Sequence, residues 1–234
     1  SSTGVISGTP TTAGTSSFTV TTASGGLTSS AASLSIVISA ASTTTSIALP
    51  SSATTATYNS SVTITATVSQ PGNVDFKVGG SSISGCSAKA SSSSSAPYTA
   101  TCSWTPSSTG TLVLSATLTP TSANYASSNS SNLNIYVNTV SFTSSASATT
   151  VGKDLTLTAT VDPSAATGTV VFKDSSSNTL CTTGSLSGGT ANCVWTTTSS
   201  GTIAVHAEYS GDSTYASSQS SSTNITVNAL QTIS

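Results

Sequence analysis

The sequence has no arginine and only four lysines. Nucleic-acid binding needs clustered cations that displace counterions from phosphates, and four scattered ammonium groups make no such patch. Polybasic attachment to a membrane surface is excluded for the same reason. Acids are almost as scarce, six in 234 residues, so the net charge is only −2. There is no methionine, and no charged segment leads into an apolar one as in a signal peptide. No apolar run nears the length of a membrane span; Leu34–Ala40 is far too short. The chain therefore reads as a processed or excised mature segment. Helical periodicity is missing throughout.

Serine and threonine dominate what is there. Such a composition can mark a disordered, glycosylated stalk. Two features oppose that reading: mean hydropathy is positive, +0.16, and apolar residues alternate with threonine over whole segments. Disordered chains combine low hydrophobicity with high net charge, and this chain has neither. The alternation is clearest in Asp154–Lys173, DLTLTATVDPSAATGTVVFK, which reads as two strands joined by a polar turn. A near copy lies upstream in Ser61–Val68, SVTITATV, and Gly72–Lys77, GNVDFK.

The copying extends along the chain. Val74 and Phe76 match Val170 and Phe172, and Cys86 and Cys102 match Cys181 and Cys193. Trp104 matches Trp195, and Tyr125–Ser128 matches Tyr215–Ser218. Each copy yields about seven short strands between turn signals, the pattern of a β-sandwich. The expected organisation is a partial module over 1–42, one repeat over 43–138, a second over 139–228 and a tail over 229–234.

The order LTLTATV, GTVVFKD, GGTANCVW, GTIAVHAEYSGDSTYASS, NITV resembles the bacterial immunoglobulin-like (Big-type) repeat. It does so well over 139–228 and less well over 43–138, where Pro120–Asn124 replaces the Ser-Gly-Asp turn. The opening segment, GVISGTPTTAG followed by SFTVTT, is similar to the final half of a putative-immunoglobulin module of bacterial surface proteins. The fold this implies is all-β, tandem immunoglobulin-like sandwiches. Half a sandwich cannot bury its apolar face alone, so residues 1–42 are expected to be completed by upstream residues or by another chain.

Four cysteines allow three pairings, and repeat symmetry selects Cys86–Cys102 and Cys181–Cys193. Both members of each pair are expected on adjacent strands, as a structural bond and not the inter-sheet bond of antibody domains. Closing loops this short stabilises each domain by about 3 kcal/mol in the chain-entropy model. Disulfides also imply an oxidising, extracellular compartment.

Few other residues carry candidate chemistry. Trp104 and Trp195 share a strand face with a cysteine, and a ring capping the core is preferred over a sugar platform. His206 is expected to be exposed or on a sheet surface. A serine–histidine–acid triad can be imagined anywhere in so serine-rich a chain, so no catalytic residue is assigned. Asp154, Asp162, Asp174 and Asp212 suggest calcium only weakly, because no DxDxDG loop is present. No metal and no cofactor are expected. Lys153 and Asn228, with Glu208 as the acid, are the candidates for an isopeptide crosslink. Asn59, Asn129 and Asn224 stand in glycosylation sequons, and the Ser91–Ser95 run is a candidate for O-linked sugar.

The expected function is a non-enzymatic, disulfide-bonded glycoprotein of the cell surface, a filament subunit self-associating into a homopolymer through the N-terminal half-domain. The tail Ala229–Ser234 is a candidate donor strand. The alternatives are a segment of a long adhesin stalk and, last, a carbohydrate-binding accessory module. Glycans or a host cell surface are further candidate partners.

Overall fold

A computed structural model describes residues 7–92 and 95–231. The start of the opening motif (Gly4–Ile6), the middle of the Ser91–Ser95 run and the end of the Ala229–Ser234 tail lie outside the described residues. Among those described, the protein is all-β and immunoglobulin-like, with a single 3-10 turn at Pro50–Ser52. Two compact units interleave along the chain. One holds residues 1–48, 65–102 and 115–132; the other holds 49–64, 103–114 and 133–234.

Thr45–Ala48, Val62–Val68 and Tyr98–Trp104, strands that lie wholly or mostly in the first unit, form a three-stranded sheet in that order. A second sheet contains Gly72–Val78, which turns back on itself through Gly79 and Gly80. Both glycines have positive φ, 56° and 82°, the geometry a two-residue hairpin turn demands. The alternation visible in the sequence is the alternation of burial. Ala66, Val68, Ala100 and Cys102 are buried from one sheet, and Val74, Phe76, Ala116 and Leu118 from the other. The threonines between them face outward, as the twofold period of a strand requires.

The same unit carries a ribbon, Gly14–Val20 antiparallel to Ala32–Ile38, with Phe18 opposite Leu34 and Ser16 opposite Ile36. Among the described residues, no other strand pairs with it.

In the second unit, Leu133–Ser144 is one unbroken strand of 12 residues. Its first half pairs with Gly110–Leu114 and its second half with Asp154–Asp162. The expected boundary between residues 138 and 139 therefore falls inside a strand. Two sheets enclose a core whose residues run from Val140 to Val227. One sheet is Leu133–Ser144, Asp154–Asp162 and Thr190–Thr196. The other runs Ala148–Thr150, Thr223–Asn228, Gly201–Tyr209, Thr169–Asp174, Thr179–Ser185, with the first two strands parallel. Between them lie Leu155, Leu157, Val161, Val170, Phe172, Val205, Ile225 and Val227.

The turn at Asp212 closes this sandwich. Its carboxylate accepts hydrogen bonds from the backbone N–H groups of Thr167, Thr214 and Tyr215 at 2.7–2.8 Å, and from Thr167 Oγ1 at 3.0 Å. Burial works against ionisation, but these donors outweigh it and hold the carboxyl well below its ordinary range. The neighbouring Tyr209 hydroxyl donates to the Thr167 carbonyl at 2.6 Å. Burial first, and then Asp212, push that phenol up to about 12.

A carboxyl depressed in the folded state stabilises the fold above the unfolded carboxyl's pKa, and that contribution is lost as pH falls through the folded value. Asp212→Asn is therefore expected to cost roughly 1 kcal/mol at neutral pH, discounted from the full shift because the group is half-exposed. The gap to the parent protein should narrow below about pH 4. Urea denaturation across pH checks this; a gap that stays constant into acid contradicts the assignment.

Candidate functional site

The N-terminal ribbon departs most from what a folded sandwich allows. Its strands GTSSFTV and ASLSIVI carry apolar side chains that in a finished sandwich would face a second sheet. Here they face solvent: Leu34 is 50% and Val37 68% exposed. An isolated two-stranded ribbon is at best marginally stable in water. Neither strand bears a charge or a proline, the usual guards of a free sheet edge.

The approach to the ribbon is held in place. Asn124 accepts from the Ala13 N–H through Oδ1 at 2.8 Å and donates from Nδ2 to the Thr11 carbonyl at 3.0 Å. Where the second strand leaves, the Ala41 N–H donates to the Asn124 carbonyl and the Ala126 N–H to the Ala41 carbonyl. The open end of the hairpin, where the first strand begins and the second ends, is thus fixed on one short turn. That turn is the Pro120–Asn124 segment that breaks the repeat pattern. An amide suits it because it both donates and accepts, which the carboxylate of Asp212 cannot do.

The cysteines close as Cys86–Cys102 and Cys181–Cys193, with Cα separations of 5.5 and 6.2 Å. Their placement corrects one expectation. Cys181 lies on Thr179–Ser185 of one sheet and Cys193 on Thr190–Thr196 of the other, so this bond joins two sheets. Cys102 is on the three-stranded sheet, while Cys86 follows the turn beyond Gly72–Val78 in the other sheet. The reason is topological: the chain crosses between sheets within the short loop that each cystine closes.

Trp104 and Trp195 are buried, 7% and 6% exposed, so neither offers a platform to a sugar. The accessory-module reading based on them falls with that observation. His206 is likewise buried, at 6%, and so not exposed, on the sheet face that it shares with Glu208. It sits on Gly201–Tyr209, flanked by a strand on each side, with Lys173 directly opposite in the register. Its Nε2 lies 3.3 Å from Glu208 Oε1, and Lys173 Nζ lies 2.6 Å from Oε2. The Lys173 contact, with help from His206, holds the Glu208 carboxyl below its ordinary range against the effect of burial.

Two of the three residues named for a crosslink make other contacts. Glu208 is engaged by Lys173 and His206, whereas Asn228 Nδ2 donates to the Thr149 carbonyl. The aspartates are dispersed too. Asp174 binds Ser176 and Asn178 within its own turn, and Asp154 accepts from Thr196 Oγ1. No cluster of metal-ligating side chains exists among the described residues. The three sequon asparagines, Asn59, Asn129 and Asn224, are all exposed.

Residues 142–228 match the family described as bacterial Ig-like domain, group 3. The match covers that segment alone. No curated protein matches the chain. Solved structures that it resembles include the Escherichia coli adhesin FdeC, at 14% identity and a TM-score of 0.40, covering 91% of this chain and 74% of that one. Latent PorU from Porphyromonas gingivalis matches at 10% identity and 0.32, covering 80% of this chain and 20% of its own. The mouse nectin-like molecule 4 ectodomain matches at 10% and 0.30, covering 81% and 66%.

Sequence reasoning missed Asn124 and Asn138. Asn138 lies at the middle of Leu133–Ser144, fully buried, and its Nδ2 donates to the Ala216 carbonyl at 2.8 Å. Its own carbonyl accepts from the Tyr58 N–H. The available signal was an asparagine between two apolar strand halves, where alternation alone gives no reason for a polar residue.

Proposed function

We propose that this protein is an extracellular, non-catalytic surface protein that assembles head to tail into a filament. The observation that carries the reading is the uncovered ribbon Gly14–Val20 and Ala32–Ile38. A strand from a second copy of the chain would cover it. Main-chain hydrogen bonds would supply affinity and alternating apolar side chains the register. Such a contact uses different surfaces on the two copies, so it does not close and propagates into a fibre. Low surface charge removes the repulsion that normally keeps sheet edges apart. Two cystines support an oxidising, extracellular setting.

The adhesin-stalk reading is favoured by a different feature, the unbroken strand Leu133–Ser144, which leaves no linker at residue 138. In that reading the ribbon is covered by the same polypeptide.

Negative-stain electron microscopy of the native protein separates the two. Fibres of uniform width are expected, and Leu34→Lys with Ile36→Lys should abolish them without changing the melting of the 139–228 sandwich. Monodisperse particles at every concentration, with no fibres, would reject the filament.

A further inference from the structure

The second unit contains a cleft of about 670 Å³ that neither the filament reading nor the Ig-like match assigns. One rim is the turn Thr57–Ser60; the other is formed by Glu208 and the segment Ser217–Ser221, with Thr139 and Val140 between. We propose that this cleft binds a neutral, polyhydroxylated glycan.

Most of the lining residues are polar, and Val140, Tyr58 and Tyr209 add apolar surface. The lining presents serine and threonine hydroxyls, the amides of Asn59 and Gln219, and one carboxylate, Glu208. Hydroxyls and amides both donate and accept, which is what a sugar hydroxyl requires of a partner. The carboxylate is matched by Lys173 and brings little net charge, so phosphates and polyamines find no counter-charge here. Tyr58 supplies the exposed aromatic element. At 43% exposure it is the one aromatic among the large exposed hydrophobic side chains of the described residues. An open aromatic ring beside convergent polar groups is the arrangement by which concave sites hold sugar rings.

The cleft is also preformed. Thr57 Oγ1 donates to the Ser217 carbonyl at 3.0 Å and ties the two rims together. The Tyr58 N–H donates to the Asn138 carbonyl and the Asn59 N–H to the Pro106 carbonyl. The Tyr58 backbone is therefore held from two directions, with Asn59 in the left-handed region at φ 57°. Preorganisation of this kind lowers the ordering cost of binding.

The test is a panel of neutral oligosaccharides of glucose, galactose, mannose and N-acetylglucosamine, each titrated to about 10 mM into the isotope-labelled full chain. That concentration exceeds the millimolar dissociation constant at which a shallow single-ring site would bind. At least one sugar should shift the amide resonances of Tyr58 and Gln219. Tyr58→Ala should weaken that binding about tenfold, and Gln219→Ala measurably, with melting midpoints unchanged. No shifts with any sugar, or shifts that survive both substitutions, would overturn the proposal. Neither result bears on whether the ribbon builds fibres.

Discussion

Phe172→Ala is expected to destabilise the 139–228 sandwich by about 3–5 kcal/mol. Phe172 is fully buried on Thr169–Asp174, and its ring packs against Phe142 with centroids 5.5 Å apart. Leu155, Leu157, Val170, Val205 and Ile225 belong to the same core. Truncation loses the transfer free energy of the ring and leaves a cavity that two hydrogen-bonded sheets cannot collapse to fill. A domain's whole stability is about 5–15 kcal/mol, so the loss should leave the variant partly unfolded at moderate temperature. Urea denaturation followed by tryptophan fluorescence would measure it, because Trp195 lies in the same core. Val194→Ala, at an exposed position of Thr190–Thr196 in the other sheet, is the control and should stay within about 0.5 kcal/mol of the parent. Equal effects from the two substitutions would contradict the assignment of the core.

Removing the first disulfide with Cys86→Ala and Cys102→Ala should cost about 3 kcal/mol. The bond spans a sequence separation of 16, and the second a separation of 12. Loop entropy depends only logarithmically on length, so the two bonds contribute nearly equally on that count. Their accessibility separates them. Cys86 and Cys102 are buried, whereas Cys181 and Cys193 are half-buried. A mild reductant without denaturant should therefore open Cys181–Cys193 first, since exchange requires a thiolate to reach a sulfur. Alkylation and peptide mapping would read the order; simultaneous reduction would show that access does not control it.

Much of the architecture was legible because a strand has a period of two. The threonine–aliphatic alternation of Val62–Val68 and Asp154–Asp162 identifies both the strands and their inward faces, and each apolar position expected inside those strands beyond Val62 is buried. The cystines were legible from cysteine placement, but their role as ties between sheets was not. Sheet membership depends on where the chain crosses over, and alternation does not encode it. His206 shows the same limit. Alternation gave its face correctly, with Glu208, but burial depends on the neighbouring strands and on Lys173 across the register.

The candidate sites were less legible than the fold. Asn124 and Asn138 each act through contacts more than 75 positions away, as the separations of 111 to Ala13 and 78 to Ala216 record. The cleft brings Tyr58 to the paired residues Glu208 and Gln219, which lie still further along the chain. The sequence by itself determined an all-β chain with little charge, no basic patch and two inward-facing strand patterns. These are properties of local period and composition, which operate over a few residues. Only the tertiary structure decided that the ribbon lies bare, that both tryptophans are buried, and that an unbroken strand passes through Asn138. Those outcomes rest on which distant surfaces meet, and no local pattern carries that information.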